Sequence, residues 1–101
     1  MNILLVDDTS LYRAIFGNSL AEIGATLHLA ANGREALDAS AATSFDMVAV
    51  SMQLADMDGI ALTRMLRQQP AFQYTPILIL TGSVSQDLAR KASEAGATEI
   101  F

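Results

Sequence analysis

The sequence predicts a single α/β domain built on a parallel sheet, and three observations carry that prediction. Short apolar runs recur along the chain, stretches with apolar residues every three or four positions lie between them, and Gly, Pro, Asn or Asp punctuates the junctions. Strands alternating with helices favour parallel pairing, because a helical crossover is the usual way to join parallel neighbours. A length of 101 residues allows one core and not two.

Ile3-Leu-Leu-Val6 is a continuous apolar run closed by Asp7 and Asp8, the pattern of a strand buried on both faces. Thr9 or Ser10 can then cap a helix in which Leu11, Ile15, Phe16, Leu20 and Ile23 share one face, with Gly24 as its stop. Thr26-Leu-His-Leu-Ala30 alternates as a second strand. Asn32-Gly33 turns into an Ala-rich helix over Arg34 to Thr43. Met47-Val-Ala-Val-Ser51 is the third strand, and Asp58-Gly59 opens a helix running to about Gln69, where Pro70 ends it. Thr75-Pro76 leads into a fourth strand, Ile77-Leu-Ile-Leu-Thr81, and Ser85 caps one more helix ending near Gly96. The last residues, Ala97-Thr-Glu-Ile-Phe101, read as the opening of a fifth strand.

Composition narrows the classes of function. Half of the residues are hydrophobic (51%) and only 17% are charged, which suits a collapsed domain rather than a disordered one. A net charge of −5 with six basic residues opposes direct binding to nucleic acid or an anionic membrane. The absence of cysteine excludes a disulfide framework and a thiolate metal site and fits a reducing cytoplasm. No apolar run approaches the roughly 18 residues that cross a bilayer, and the N-terminus lacks the pattern of a signal peptide.

In open parallel sheets, ligands bind beyond the carboxyl ends of the strands. The residues at those ends are Asp7 and Asp8, Ser51, and Thr81 with Gly82. Two adjacent carboxylates suit a hard cation such as Mg²⁺, but Asp8 equally suits the N-terminus of the following helix, and the pair alone leaves both possibilities open. His28 lies in an alternating strand without a second His or Cys to complete a soft-metal site. The five methionines fall mostly in apolar runs and read as core filler. Tyr12 and Tyr74 offer no stacking platform for nucleic acid in so acidic a chain.

Four segments in order carry a resemblance: Ile3-Leu-Leu-Val-Asp-Asp8, Phe45-Asp-Met-Val-Ala-Val-Ser-Met-Gln-Leu-Ala-Asp-Met-Asp-Gly59, Thr75-Pro-Ile-Leu-Ile-Leu-Thr-Gly82 and Ala95-Gly-Ala-Thr-Glu-Ile-Phe101. Together they resemble the successive signatures of bacterial response-regulator receiver domains over the whole chain. The resemblance implies a CheY-like, flavodoxin-like doubly wound parallel sheet, a domain over residues 1–101 cut off at the start of strand five, and a cytoplasmic role in two-component signalling. It also implies that Asp7 and Asp8 hold Mg²⁺ with the backbone carbonyl of Gln53, that Thr81 is the switch hydroxyl, and that Gly82 leaves room for a phosphoryl group. Ser51 matches the aspartate that receives phosphate from a histidine kinase or phosphotransfer protein, and here the sequence departs from the pattern. The family's lysine after strand five and its last helix would lie beyond Phe101.

The departure has chemical content. An aspartate, with an ordinary pKa of about 3.9, is ionised at neutral pH and attacks a phosphoryl donor without a base, whereas a serine hydroxyl needs one, and the sole histidine has no reason to face the site. Losing one of three carboxylates also weakens the attraction for Mg²⁺, so the metal is expected to bind weakly or not at all. Asp46 belongs to the opposite end of the sheet, while Asp56 and Asp58 lie in the following loop, Asp58 suiting a helix cap. The leading expectation is therefore a pseudo-receiver, not an enzyme, that acts as a protein-interaction or dimerisation module, with an output domain possible C-terminal to it.

Two alternatives stand beside it. One is an ordinary phospho-accepting receiver silenced by an engineered Ser51. The other is a Mg²⁺-dependent phosphatase using Asp7 as nucleophile, although haloacid-dehalogenase-like enzymes want an aspartate two residues on, where this chain has Thr9. An unfinished fifth strand would leave an open edge and apolar surface, so a homodimer or higher self-association is expected.

Overall fold

The computed structural model describes residues 1–8 and 22–101. The helix expected over residues 11–23, its caps at Thr9 or Ser10, and Tyr12 fall wholly or largely outside those residues. Five parallel strands form one sheet: β1 (Asn2–Val6), β2 (Thr26–Ala30), β3 (Met47–Ser51), β4 (Ile77–Leu80) and β5 (Glu99–Ile100). Their order, β2-β1-β3-β4-β5, is that of flavodoxin-like sheets. The described helices are α1 (Gly33–Ala42), α2 (Gly59–Arg67) and α3 (Gln86–Ala95), with a short 3₁₀ turn at Pro70–Phe72.

All three helices pack on one face of the sheet. From β2 onward each connection steps in the same direction across the sheet, and right-handed crossovers then put every helix on the same side. Leu4, Val6, Val48, Val50 and Ile77 meet Ala36 of α1 and Leu62 and Leu66 of α2, while Ile79 meets Ile60, Ala92 and Ala95. The opposite face carries the alternate residues, and Ile3, Leu5, Leu27, Met47, Ala49, Leu78 and Leu80 line an apolar cavity of about 150 Å³ there.

Local signals set the helix ends. Asn32, Asp58 and Ser85 each accept a bond from the amide three residues on, at Glu35, Ala61 and Leu88, as N-caps do. Gly96, at φ +101°, closes α3 in the left-handed region.

Four expectations need correction. Helix α2 stops at Arg67 rather than near Gln69, because the residue before a proline is pushed to extended backbone and Gln69 sits at φ −84°, ψ 126°. The α1 helix begins one residue earlier, at Gly33. Strand β4 ends at Leu80, with Thr81 just beyond it. The methionines are core filler only in part: Met52 and Met57 pack against the core clusters and Met47 lines the cavity on the far face, while Met1 and Met65 are exposed.

Candidate functional site

Parallel pairing of β1 with β3 sets Val6 beside Val50, so the residues that follow, Asp7 and Ser51, emerge side by side at the carboxyl edge. The Ser51 hydroxyl donates to Asp7 Oδ1 at 2.8 Å. Both residues are buried, at 6% and 2% exposure, so water competes little for that bond. The Asp7 amide donates to the Ala30 carbonyl of β2, and Ser51 pairs with Leu80 of β4. Both partners therefore stand on fixed backbone. No local pattern in the sequence places a carboxylate beside Ser51; strand register does.

The other expected site residues gather at the same edge with different partners. Asp8 is exposed. Gln53 is exposed in the loop after β3, which an antiparallel bridge between Gln53 and Asp58 closes. Thr81 is half-buried; its amide donates to the Phe101 carbonyl at 2.6 Å, and its hydroxyl donates to the Ser83 carbonyl at 3.3 Å. The Thr81 hydroxyl, expected to be the switch, is thus engaged in its own turn. Gly82 is exposed, and open space lies where its Cβ would be.

Asp46, Asp56 and Asp58 all accept bonds from backbone amides. Asp46 accepts from the Asn2 amide at 2.7 Å, at the far end of the sheet. Asp58 caps α2. Asp56 reaches across to α1 and accepts from the Gly33 and Arg34 amides, each at 2.9 Å; these two bonds hold its pKa below the ordinary carboxylate value. Met57 fills the space beside Gly33, where a Cβ would lie 2.4 Å from the methionine sulfur. The loop that follows Ser51 is therefore pinned to the start of α1 by two consecutive side chains.

His28 packs edge-on against Phe45, with ring centroids 5.1 Å apart, and pairs in register with Leu4 at the middle of β2, away from the carboxyl edge. Among the described residues, no three His, Cys, Asp or Glu side chains cluster as metal ligands. Arg67 was not foreseen. Its guanidinium donates to the carbonyls of Gly96, Phe72 and Thr75, tying the end of α2 to the turn before β4 and to the cap of α3, and burial lowers its pKa.

Comparison with known proteins fits this geometry. The family model for the response regulator receiver domain matches residues 3–101. The chain belongs to the response regulator receiver domain family. This receiver domain is similar to a gliding motility regulatory protein of Myxococcus xanthus, 31% identical over 97 residues, which cover 96% of this chain and 12% of that protein. Its fold matches the chemotaxis response regulator CheY4 of Vibrio cholerae with a TM-score of 0.92 at 30% identity, covering 98% of this chain and 82% of the other. It likewise matches the receiver domain of sensor histidine kinase PA1611 from Pseudomonas aeruginosa, which holds a magnesium ion in its active site cleft, with a TM-score of 0.86 at 26% identity over 99% of this chain and 82% of that one. The chain spans about one eighth of the length of the Myxococcus relative. No helix among the described residues is long and apolar enough to cross a membrane.

Proposed function

We propose that this receiver domain does not form an aspartyl phosphate and serves two-component signalling as a protein-interaction module. Ser51 is taken to stand in the family's acceptor position, and one observation carries the proposal: the side chain that ends β3 beside Asp7 is an alcohol donating a hydrogen bond, not a carboxylate. An acyl phosphate needs a carboxyl oxygen as its nucleophile. Asp46, Asp56 and Asp58, the nearest candidates in sequence to replace it, are held by backbone amides.

Asp7 and Asp8 with the Gln53 carbonyl would hold Mg²⁺. A buried and an exposed carboxylate on adjacent residues fit a hard cation that keeps several waters. The cation would neutralise charge at the strand edge. With a hydroxyl at Ser51 instead of a third charge, the affinity falls below that of a three-carboxylate site.

The partners are proteins of the two-component class, a histidine kinase or phosphotransfer protein, or an output domain in the same polypeptide. A second copy of the chain is a further partner: β5 pairs with β4 through two residues, and its other edge has no strand partner among the described residues. Proteins of this kind bind and switch rather than turn over substrate.

The test is incubation with acetyl phosphate and Mg²⁺, read by intact mass before and after hydroxylamine, which cleaves acyl phosphates. No hydroxylamine-sensitive adduct is expected on the chain as it stands, and Ser51→Asp should acquire one. A sensitive adduct on the unsubstituted chain would overturn the proposal. Light scattering over a concentration series checks self-association, and a monomer at all concentrations would refute that part.

A further inference from the structure

The loop that carries Gln53 is fixed at both its base and its tip. At the base, the Met52 amide donates to the Leu80 carbonyl and the Gly59 amide donates to the Met52 carbonyl, each at 2.8 Å, and the Gln53–Asp58 bridge closes the next rung. These bonds tie the loop to β4 and to the start of α2. At the tip, the two carboxylate oxygens of Asp56 accept from the Gly33 and Arg34 amides, one each, at 2.9 Å. Met57 packs against the main core cluster and fills the space that a side chain at Gly33 would take. Of the loop's described hydrogen bonds, only those of Asp56 reach α1.

We propose that Asp56, backed by Met57, is a positioning residue for the cation site: it holds the loop against α1 so that the Gln53 carbonyl stands ready as a ligand alongside Asp7 and Asp8. The inference deepens the proposed function and rests on the Mg²⁺ site named there. Mg²⁺ takes near-octahedral oxygen ligands at about 2.0–2.1 Å, so a carbonyl on a wandering loop is a poor ligand, and bonds that limit its excursions favour the bound geometry. The demand is sharper here than in a three-carboxylate site, because Ser51 supplies no charge and the neutral carbonyl carries a larger share of the coordination. The Asp56 carboxylate is committed to two α1 amides, so it acts through the backbone between residues 53 and 56 and not as a ligand. Such coupling is reciprocal: what the clamp adds to Mg²⁺ binding, Mg²⁺ adds to the clamp.

The structural alternative is that Asp56 only satisfies two amides at the N-terminus of α1, which have no partner within the helix. That role moves the melting temperature but not the Mg²⁺ affinity of the folded chain. The full chain is titrated with Mg²⁺ and the Kd read from amide shifts in two-dimensional NMR, both as it stands and with Ser51→Asp, whose third carboxylate tightens the site. Asp56→Asn, which keeps one acceptor oxygen and loses the other, should weaken the Kd about 10-fold in either background. Met57→Ala, which loosens the clamp without changing charge, should weaken it in the same direction. In the unsubstituted chain, Mg²⁺ should slow hydrogen exchange at the Gly33 and Arg34 amides more than at the core amides of α2 and α3. Circular dichroism checks that the variants are folded, and the exchange measurement keeps the test decisive if they are not. An unchanged Kd in both folded variants, a loss confined to Asp56→Asn, which would assign the effect to its charge, or no added protection at Gly33 and Arg34 would overturn this inference and leave the Mg²⁺ site standing. No Mg²⁺ binding in either background would overturn the site and the inference together.

Discussion

Placing a carboxylate at Ser51 should make the stability of this domain depend on Mg²⁺, and the size of the effect follows from one distance. Ser51 Oγ lies 2.8 Å from Asp7 Oδ1. The substitution Ser51→Asp therefore exchanges a hydrogen bond for a second negative charge within about 4 Å, which costs about 2 to 4 kcal/mol at an effective dielectric between 20 and 40. Protonation bounds the cost: holding a carboxyl neutral at pH 7 against its ordinary pKa of about 3.9 takes about 4 kcal/mol. For a domain of this size the loss corresponds to a fall in Tm of about 10 to 25 °C in chelator. A divalent cation that binds only the native state returns about 2.7 kcal/mol when present at a hundred times its Kd. Thermal unfolding followed by circular dichroism, with EDTA and with Mg²⁺, reads both numbers. The unsubstituted chain should shift by no more than about 2 °C between the two conditions, by the same scaling applied to a few tenths of a kcal/mol. If Ser51→Asp melts at the same temperature as its parent in EDTA, or if Mg²⁺ stabilises both equally, like-charge crowding does not govern this edge.

Arg67→Ala should cost about 3 kcal/mol in urea unfolding, because three carbonyls lose a charged donor; Arg67→Lys should recover only part of it, since a single ammonium cannot reproduce the forked geometry. Full recovery by lysine would show that charge alone matters there. Gly59→Ala should destabilise by about 1 to 3 kcal/mol, because the added Cβ would lie 2.7 Å from the Ser51 carbonyl oxygen and force α2 away from the end of β3; an unchanged urea midpoint would contradict this. Asp56 has a folded pKa depressed by the Gly33 and Arg34 amides, so its contribution is fully present above the unfolded value of about 3.9 and disappears as pH falls through the lower folded value. Asp56→Asn should therefore reduce the stability lost between about pH 5 and pH 2, measured by urea unfolding across that range, and an undiminished loss would remove Asp56 from the acid transition.

The helix caps show how far short-range pattern reaches. Asn32, Asp58 and Ser85 bond amides three residues on, so their chemistry is contained in a tetrapeptide and can be read from it. Asp56 bonds amides more than twenty residues away, at a helix that its own segment does not adjoin in sequence. It looked like one more loop carboxylate. Arg67 is similar, since its three carbonyl acceptors sit on two different connections. The end of α2 was missed for a local reason: the constraint on the residue before Pro70 acts upstream of the proline.

The sequence by itself determined the element types, the parallel sheet and the residues at its carboxyl edge, because hydrophobic period and caps act over a few positions. It also placed Ser51 among the family's motifs. Only the tertiary structure decided what Ser51 touches. Register between β1 and β3 brings its hydroxyl to Asp7, residues 44 apart in sequence, and makes it one half of a buried hydrogen-bonded pair.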